Sequence, residues 1–216
     1  FDISAACAGF IFAMNIVEGF FKAGIYKTAL IIGAETLSKV TDWSDRGTCV
    51  LFGDGAGAAV LKAEETGIID MMMGADGTKG DVLACTSRTV GNFLTGTKPE
   101  LGFMTMDGQE VFKFAVRKVP ESVLELLNRT GTKKEDIKYY VLHQANERII
   151  EAAARRLKEP MEKFPMTISQ FGNTSTASIP LLLDDMIQKD MLKRGDKIIM
   201  SGFGAGMTWG AVLMEW

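Results

Sequence analysis

The chain has 216 residues, 47% of them hydrophobic, and a formal net charge of −3. That length can bury a sizeable core in one large domain or two small ones. The negative balance argues against nucleic acid as the main partner, and no apolar run reaches membrane-spanning length, so neither partner is expected.

Phe1-Asp2-Ile3 reads as the end of a buried strand. Ser4 to Gly9 is a run of small residues around Cys7, and from Phe10 the pattern turns helical. Between Ala8 and Ala23 the polar side chains are Asn15, Glu18 and Lys22, one narrow stripe at helical spacing. Gly24 supplies a left-handed stop. Cys7 is thus expected at a strand-to-helix junction. Free amide N–H groups and the helix dipole there would make its thiol acidic and offer donors to an oxyanion. A buried structural cysteine is the alternative, and this stretch alone leaves both open. Because the chain opens inside a strand, it is expected to be the later part of a longer protein. The preceding segment would then belong to the same protein or to a separate chain.

Thr28 to Glu35 reads as a strand buried on both faces. Thr36 to Cys49 is loop-like. Gly53-Asp54-Gly55-Ala56-Gly57 leads into a strand through Leu61. It precedes a strand rather than a helix and lacks the Lys-Ser/Thr of a phosphate loop, so close backbone packing is its expected role. Glu64 to Gly67 is a turn and the expected boundary between a first half, 1–66, and a second, 67–216. Ile68 to Gly74 is a strand, and Gly77 to Lys98 a polar surface excursion.

A helical period returns at Asp107, with Val111, Phe112, Ala115, Val116, Val119, Val123, Leu124 and Leu127 on its apolar face; Pro120 is expected to kink it. Thr132 to Asp136 is a capping-box-like turn. Tyr139 to Leu142 is a strand ending at His143, and Glu147 to Leu157 a helix with Ile149, Ile150, Ala153 and Leu157 inward. Phe164 to Ile168 is extended, Phe171 to Ser175 a turn and Ser178 to Leu192 a helix. Lys197 to Phe203 and Thr208 to Trp216 are strands around a glycine turn. Alternating strands and helices predict a layered α/β fold. Strand, turn and helix meet at Cys7 and again at His143, and each is followed later by a Gly-rich turn and a strand. That echo predicts two related halves.

Cys7, His143 and Asn173 all fall at element junctions, where α/β folds collect their chemistry. Singly, a lone His is commonly structural and an Asn in a Gly-Asn-Thr turn is commonly a turn former. Papain-like proteases also use Cys, His and Asn at compatible spacing. Their local motif has a second Cys before the nucleophile and an aromatic after it, whereas Ala5-Ala6-Cys7-Ala8 shows neither. The cysteines, Cys7, Cys49 and Cys85, are odd in number and lack metal-ligand spacing. They fit a reducing cytoplasm, with no disulfide framework and no metal site.

Five stretches resemble the β-ketoacyl-acyl carrier protein synthase III family, within the thiolase-like condensing enzymes. They are Asp2 to Phe10; Asp45-Arg46-Gly47-Thr48 with Phe52 to Ala58; His143-Gln144-Ala145-Asn146 with Arg148-Ile149; Gly172 to Ser175; and Gly204-Ala205-Gly206 with Thr208-Trp209-Gly210. They run in family order along essentially the whole chain. The single histidine excludes the related elongating synthases, which resemble each other in using Cys with two His. Chalcone-synthase-like enzymes share the Cys-His-Asn set, but the HQAN stretch and the short second half favour synthase III.

The resemblance implies a thiolase-like α-β-α-β-α layering with the first half incomplete. It implies initiation of bacterial fatty-acid synthesis by condensing an acyl-CoA primer, acetyl-CoA foremost, with malonyl-acyl carrier protein through an acyl-Cys7 intermediate. The products would be 3-ketoacyl-carrier protein, CoA and CO2. His143 and Asn173 would hold the enolate. The backbone N–H groups of Cys7 and Ala205 would form the oxyanion site, with Ala205 standing where the family usually has Gly. Arg46, Gly108, Phe112, Asn146 and Phe203 match CoA and pantetheine positions, and Gln109 stands where the family often has Asn. Lys113, Arg148, Arg155 and Arg156 would receive the acidic carrier protein, the alternative being a solvated helix face. No cofactor is required, and a cytoplasmic homodimer is implied. An inert fragment, lacking strands that complete its sheet and pocket, is the contrasting reading.

Overall fold

A computed structural model describes residues 1–85, 91–98 and 102–216. Its organising element is a four-stranded sheet in the order β3-β8-β7-β6: β3 (Ile68–Ala75), β6 (Ile137–Leu142), β7 (Lys197–Gly204) and β8 (Thr208–Glu215). β6 and β7 are parallel, while β7–β8 and β8–β3 are antiparallel. The central strand β7 is buried over nearly all its length and β8 through its middle, Gly210 to Leu213, as apolar runs between two helical layers should be.

One face of this sheet carries α2 (Gly108–Thr130) and α3 (Glu147–Leu157), whose Phe114, Val123, Leu126, Ile150 and Leu157 share a core with Ile199 and Leu213. The other face carries α1 (Gly9–Lys22) and α5 (Ser178–Gln188), where Phe10, Ile11, Leu182 and Met186 pack on Val141, Ile198 and Val212. Each fully buried Ile, Leu or Phe contributes roughly 1.5–3 kcal/mol over its exposed state, so these faces fix the layers. Beyond α1 and α5 lies an antiparallel pair, β1 (Thr28–Glu35) and β2 (Gly55–Lys62). The expected α/β layering is therefore present, and the described residues supply four of its five layers. Among them no helix is long and apolar enough to cross a membrane.

Three expectations change. Phe1 to Ile3 form no strand, and Phe1 is 94% exposed, because no described strand lies alongside to pair with them. β1 is buried on one face only: Leu30 and Ile32 point away from α1 and are exposed, with nothing in the described chain covering them. The stretch 77–98 is not all surface. A 3-10 turn leads to β4 (Leu83–Cys85), which pairs with β5 (Met104–Met106), and Leu83 is buried. Residues 86–90 of that stretch, and 99–101, lie outside the described residues.

Other readings hold closely. α1 ends before Gly24, which is left-handed at φ 68°, and α3 has the expected bounds and inward residues. α2 runs through Pro120 to Thr130, but its buried face differs from the expected one: Phe114 and Leu126 are buried, while Phe112 is exposed and Val116 and Leu124 are half-buried. α5 ends at Gln188, four residues before the expected Leu192. The segment expected to extend to Ile168 turns there into the four-residue α4 (Ile168–Phe171). The glycine run packs as expected. A side chain built on Gly53 would sit on the Phe171 carbonyl, one on Gly55 against Leu181 and Thr174, and one on Gly57 against Pro180.

Candidate active site

The nucleophile turn is held by backbone geometry and two threonines. Ala6 is left-handed, at φ 45°, and this sharp bend swings the chain from 1–5 into the 3-10 turn Ala6–Ala8 and on into α1. Such a backbone costs on the order of 1–3 kcal/mol outside glycine, so neighbours must hold it. Thr176 Oγ1 donates to the Ala6 carbonyl at 2.8 Å, and Thr208 Oγ1 lies between the Ala5 carbonyl at 3.1 Å and the Ala205 carbonyl at 3.0 Å, bridging the turn to the Ala205 loop. Gly204 closes the turn from behind; a Cβ there would lie 2.6 Å from the Cys7 nitrogen.

Cys7 is buried, and burial pushes its thiol up to about 11, aided by the charge of Glu35 and opposed by the Ser175 hydroxyl and Cys7's own N–H. The expected acidic thiol is thus not found. Desolvation of a thiolate in this enclosure outweighs the amide groups of one short 3-10 turn.

His143 follows β6, its N–H bonded to the Ser201 carbonyl at 2.8 Å. The ring is buried, edge-on to Phe203 at 5.4 Å, and its Nδ1 lies 2.6 Å from Ser178 Oγ. Burial drives its pKa down to about 3, so the imidazole is neutral at physiological pH. Asn173 is clamped on three sides. Its N–H donates to the Leu51 carbonyl and its carbonyl accepts from Gly53 N–H, both at 2.9 Å, while Oδ1 accepts from Ser175 N–H at 2.9 Å. That last bond fixes the side-chain amide and leaves its NH2 as the free donor.

Cys7, His143 and Asn173 line one cavity of about 190 Å³, together with Phe203, Gly204, Gly108, Phe112 and Asn146. A wider opening of about 900 Å³ meets it at Cys7 and runs along residues 1–7 and β1 past Ser175 and Ala205.

Family profiles described as 3-oxoacyl-[acyl-carrier-protein] synthase III and its C-terminal part match residues 1–77 and 127–216. The chain is 52% identical over 218 residues to a beta-ketoacyl-[acyl-carrier-protein] synthase III of Clostridium novyi (strain NT), covering 100% of this chain and 67% of the relative. The chain belongs to the β-ketoacyl-acyl carrier protein synthase III family. A second member of that name, from Clostridium acetobutylicum, is 50% identical with the same coverage. Two crystal structures of synthase III are similar throughout the chain. The Aquifex aeolicus VF5 structure has a TM-score of 0.90 at 45% identity, and the Pseudomonas aeruginosa PAO1 structure 0.91 at 39%; each match covers 100% of this chain, and 67% and 66% of those structures. The chain thus spans about two thirds of the length of these synthase III proteins.

The remaining candidates divide by position. Gly108, Phe112, Asn146 and Phe203 line the cavity. Asn146 also caps α3, its Oδ1 accepting from Arg148 N–H at 2.8 Å, so only its NH2 is left for a ligand. Arg46 is exposed and outside the cavity lining, although its neighbour Gly47 is part of it. Lys113, Arg148, Arg155 and Arg156 are exposed on α2 and α3. Lys113 is paired with Glu110 at 2.7 Å and Arg155 with Glu151 at 3.5 Å, while Arg156 donates to the Val116 carbonyl at 3.1 Å. Arg148 has no ion pair among the described residues.

Sequence reasoning missed Ala6, Thr176, Thr208, Ser175 and Ser178. A signal was present in Thr174-Ser175-Thr176-Ala177-Ser178, where four small hydroxyl residues in five follow directly on Asn173.

Proposed function

We propose that Cys7, His143 and Asn173 are the catalytic centre of an acyltransferase that initiates fatty-acid synthesis. It joins an acyl-CoA primer, acetyl-CoA foremost, to malonyl-acyl carrier protein. The observation that carries this reading is the shared cavity of a thiol, a neutral imidazole and an oriented carboxamide.

In the first stage the Cys7 sulfur attacks the primer thioester. Its proton leaves as the S–C bond forms and balances the one gained by the departing CoA sulfur, since a thiol near 11 has little standing thiolate at neutral pH. CoA departs as its thiol. The tetrahedral oxyanion lies against the N–H groups of Cys7 and Ala205, each such donor worth about 3 kcal/mol. In the second stage the malonyl C–C bond breaks and CO2 departs. The electron pair becomes an enolate, whose oxygen takes hydrogen bonds from a His143 N–H and the Asn173 NH2. A neutral imidazole suits this donor role, and burial keeps His143 neutral. The enolate carbon then attacks acyl-Cys7 and releases the Cys7 sulfur, which takes a proton from solvent.

The pantetheine arm lies in this cavity, with Gly108, Phe112, Asn146 and Phe203 along it and Arg46 outside for the CoA nucleotide. Arg148, with Lys113, Arg155 and Arg156, receives the carrier protein. We also infer that the halves divide near residue 66, that the enzyme works as a cytoplasmic homodimer, and that it needs no cofactor. The test is transfer of label from radioactive acetyl-CoA to the full-length protein. Label should be lost in Cys7→Ser and kept in Cys49→Ser and Cys85→Ser. Persistent labelling of Cys7→Ser would remove the nucleophile and the proposal with it.

A further inference from the structure

The enolate role just proposed for His143 makes a demand that the ring alone cannot meet. A neutral imidazole carries one proton on one of two nitrogens. Only the Nε2–H form presents a donor on the side away from Nδ1. The buried group that touches Nδ1 is Ser178, at the first position of α5, with Oγ 2.6 Å away.

The Ser178 hydroxyl has one proton and two acceptors within reach, His143 Nδ1 at 2.6 Å and the Ser175 carbonyl at 2.8 Å. Their needs differ. The Ser175 carbonyl already accepts the backbone N–H of Ser178. Nδ1 has no other partner among the described residues. The hydroxyl oxygen meanwhile can accept from Gln144 N–H at 3.4 Å, which completes it as donor to one side and acceptor from the other. Giving the proton to Nδ1 leaves every one of these groups bonded. Giving it to Ser175 would duplicate a bond that carbonyl already has. It would also force the ring proton onto Nδ1, leaving Nε2 a bare acceptor that repels an enolate oxygen.

We propose that Ser178 is a positioning residue that donates its hydroxyl hydrogen to His143 Nδ1 and so holds the imidazole proton on Nε2 for the condensation step. The helix start fixes the hydroxyl, and Phe203 edge-on to the ring holds the imidazole against it. Cys7 acylation does not draw on this donor, so the two half-reactions should respond differently. The partners that fix the tautomer of metal-bound histidines cost about 10–100-fold when removed, and an effect of the same order is expected for Ser178.

The test uses the full-length protein. In Ser178→Ala, condensation with malonyl-carrier protein should fall 10–100-fold while acetyl transfer to Cys7 stays within about threefold; Ser178→Thr, which keeps a hydroxyl, should restore most of the loss. Nitrogen-15 labelling of histidine gives an independent reading, with the His143 signals assigned by their loss in His143→Gln. The wild type should show the Nε2–H tautomer, and Ser178→Ala a shift toward a mixture. A wild-type Nδ1–H tautomer, an unchanged tautomer and rate in Ser178→Ala, or Thr no better than Ala would each overturn the assignment. If His143→Ala itself condenses normally, it is the enolate role that fails; if it does not while Ser178→Ala does, the fault lies with Ser178 alone.

Discussion

Gly204→Ala tests how tightly the second half of the chain shapes the nucleophile. The added Cβ would meet the Cys7 nitrogen at 2.6 Å, its Cβ at 3.0 Å and its Cα at 3.2 Å. These atoms belong to the backbone and first carbon of a turn bent at Ala6 and pinned by Thr176 and Thr208, so no flexible side-chain end can yield. Relief requires the two turns to part by several tenths of an ångström. Overpacking of this kind costs about 1–3 kcal/mol of stability. The effect on chemistry should exceed that, because the Cys7 N–H is a proposed oxyanion donor. Losing one such donor costs about 10²–10³ in rate, or roughly 3–4 kcal/mol. The assay is the single-turnover rate of acetyl transfer from labelled acetyl-CoA, beside a thermal melt. Gly19→Ala is the control: its Cβ meets nothing within 4 Å, and within α1 it should stabilise by about 0.5–1 kcal/mol without touching the rate. A Gly204→Ala protein that melts within a degree of wild type and acylates at the wild-type rate would refute this packing account of the turn.

Two further outcomes are expected. Alkylation of Cys7 by iodoacetamide should rise about tenfold per pH unit from pH 7 and keep rising past pH 9, because burial holds the thiol near 11; a plateau below pH 9 would show an acidic thiol instead. Reversing the charge of Arg148, as Arg148→Glu, should raise the KM for malonyl-carrier protein several-fold at low salt with little change in kcat, and the difference should shrink as salt rises; an unchanged KM would remove Arg148 from the docking surface.

Much of this arrangement was legible in the chain because it is local. A three-residue polar stripe gave α1, and alternation of short apolar runs with helical periods gave β6, α3, β7 and β8 within a residue or two. The element junctions singled out Cys7, His143 and Asn173, the resemblance gave them roles, and the fold brings them to one cavity. What was misread depends on long-range surroundings. The acidity of Cys7 was argued from a helix end, but burial raises its pKa, with help from the charge of Glu35, distant in sequence, and the Ser175 hydroxyl offsets only part of that rise. β1 is as apolar as a strand covered on both faces, yet its Leu30 face meets nothing in the described chain. The supporting hydroxyls were overlooked because Ser and Thr near a turn look like ordinary turn formers, and only the close approach of Ser178 to His143 gives one a task.

The central claim is that a thiol, an imidazole and a carboxamide serve the same thioester in two separable stages. The most direct measurement loads Cys7 with labelled acetyl groups in His143→Ala and Asn173→Ala of the full-length protein, then adds malonyl-carrier protein and follows CO2 release. Acylation should survive in both variants while decarboxylation falls at least 10²-fold, as loss of a donor to a developing oxyanion requires. Decarboxylation at the wild-type rate in either variant would contradict the account.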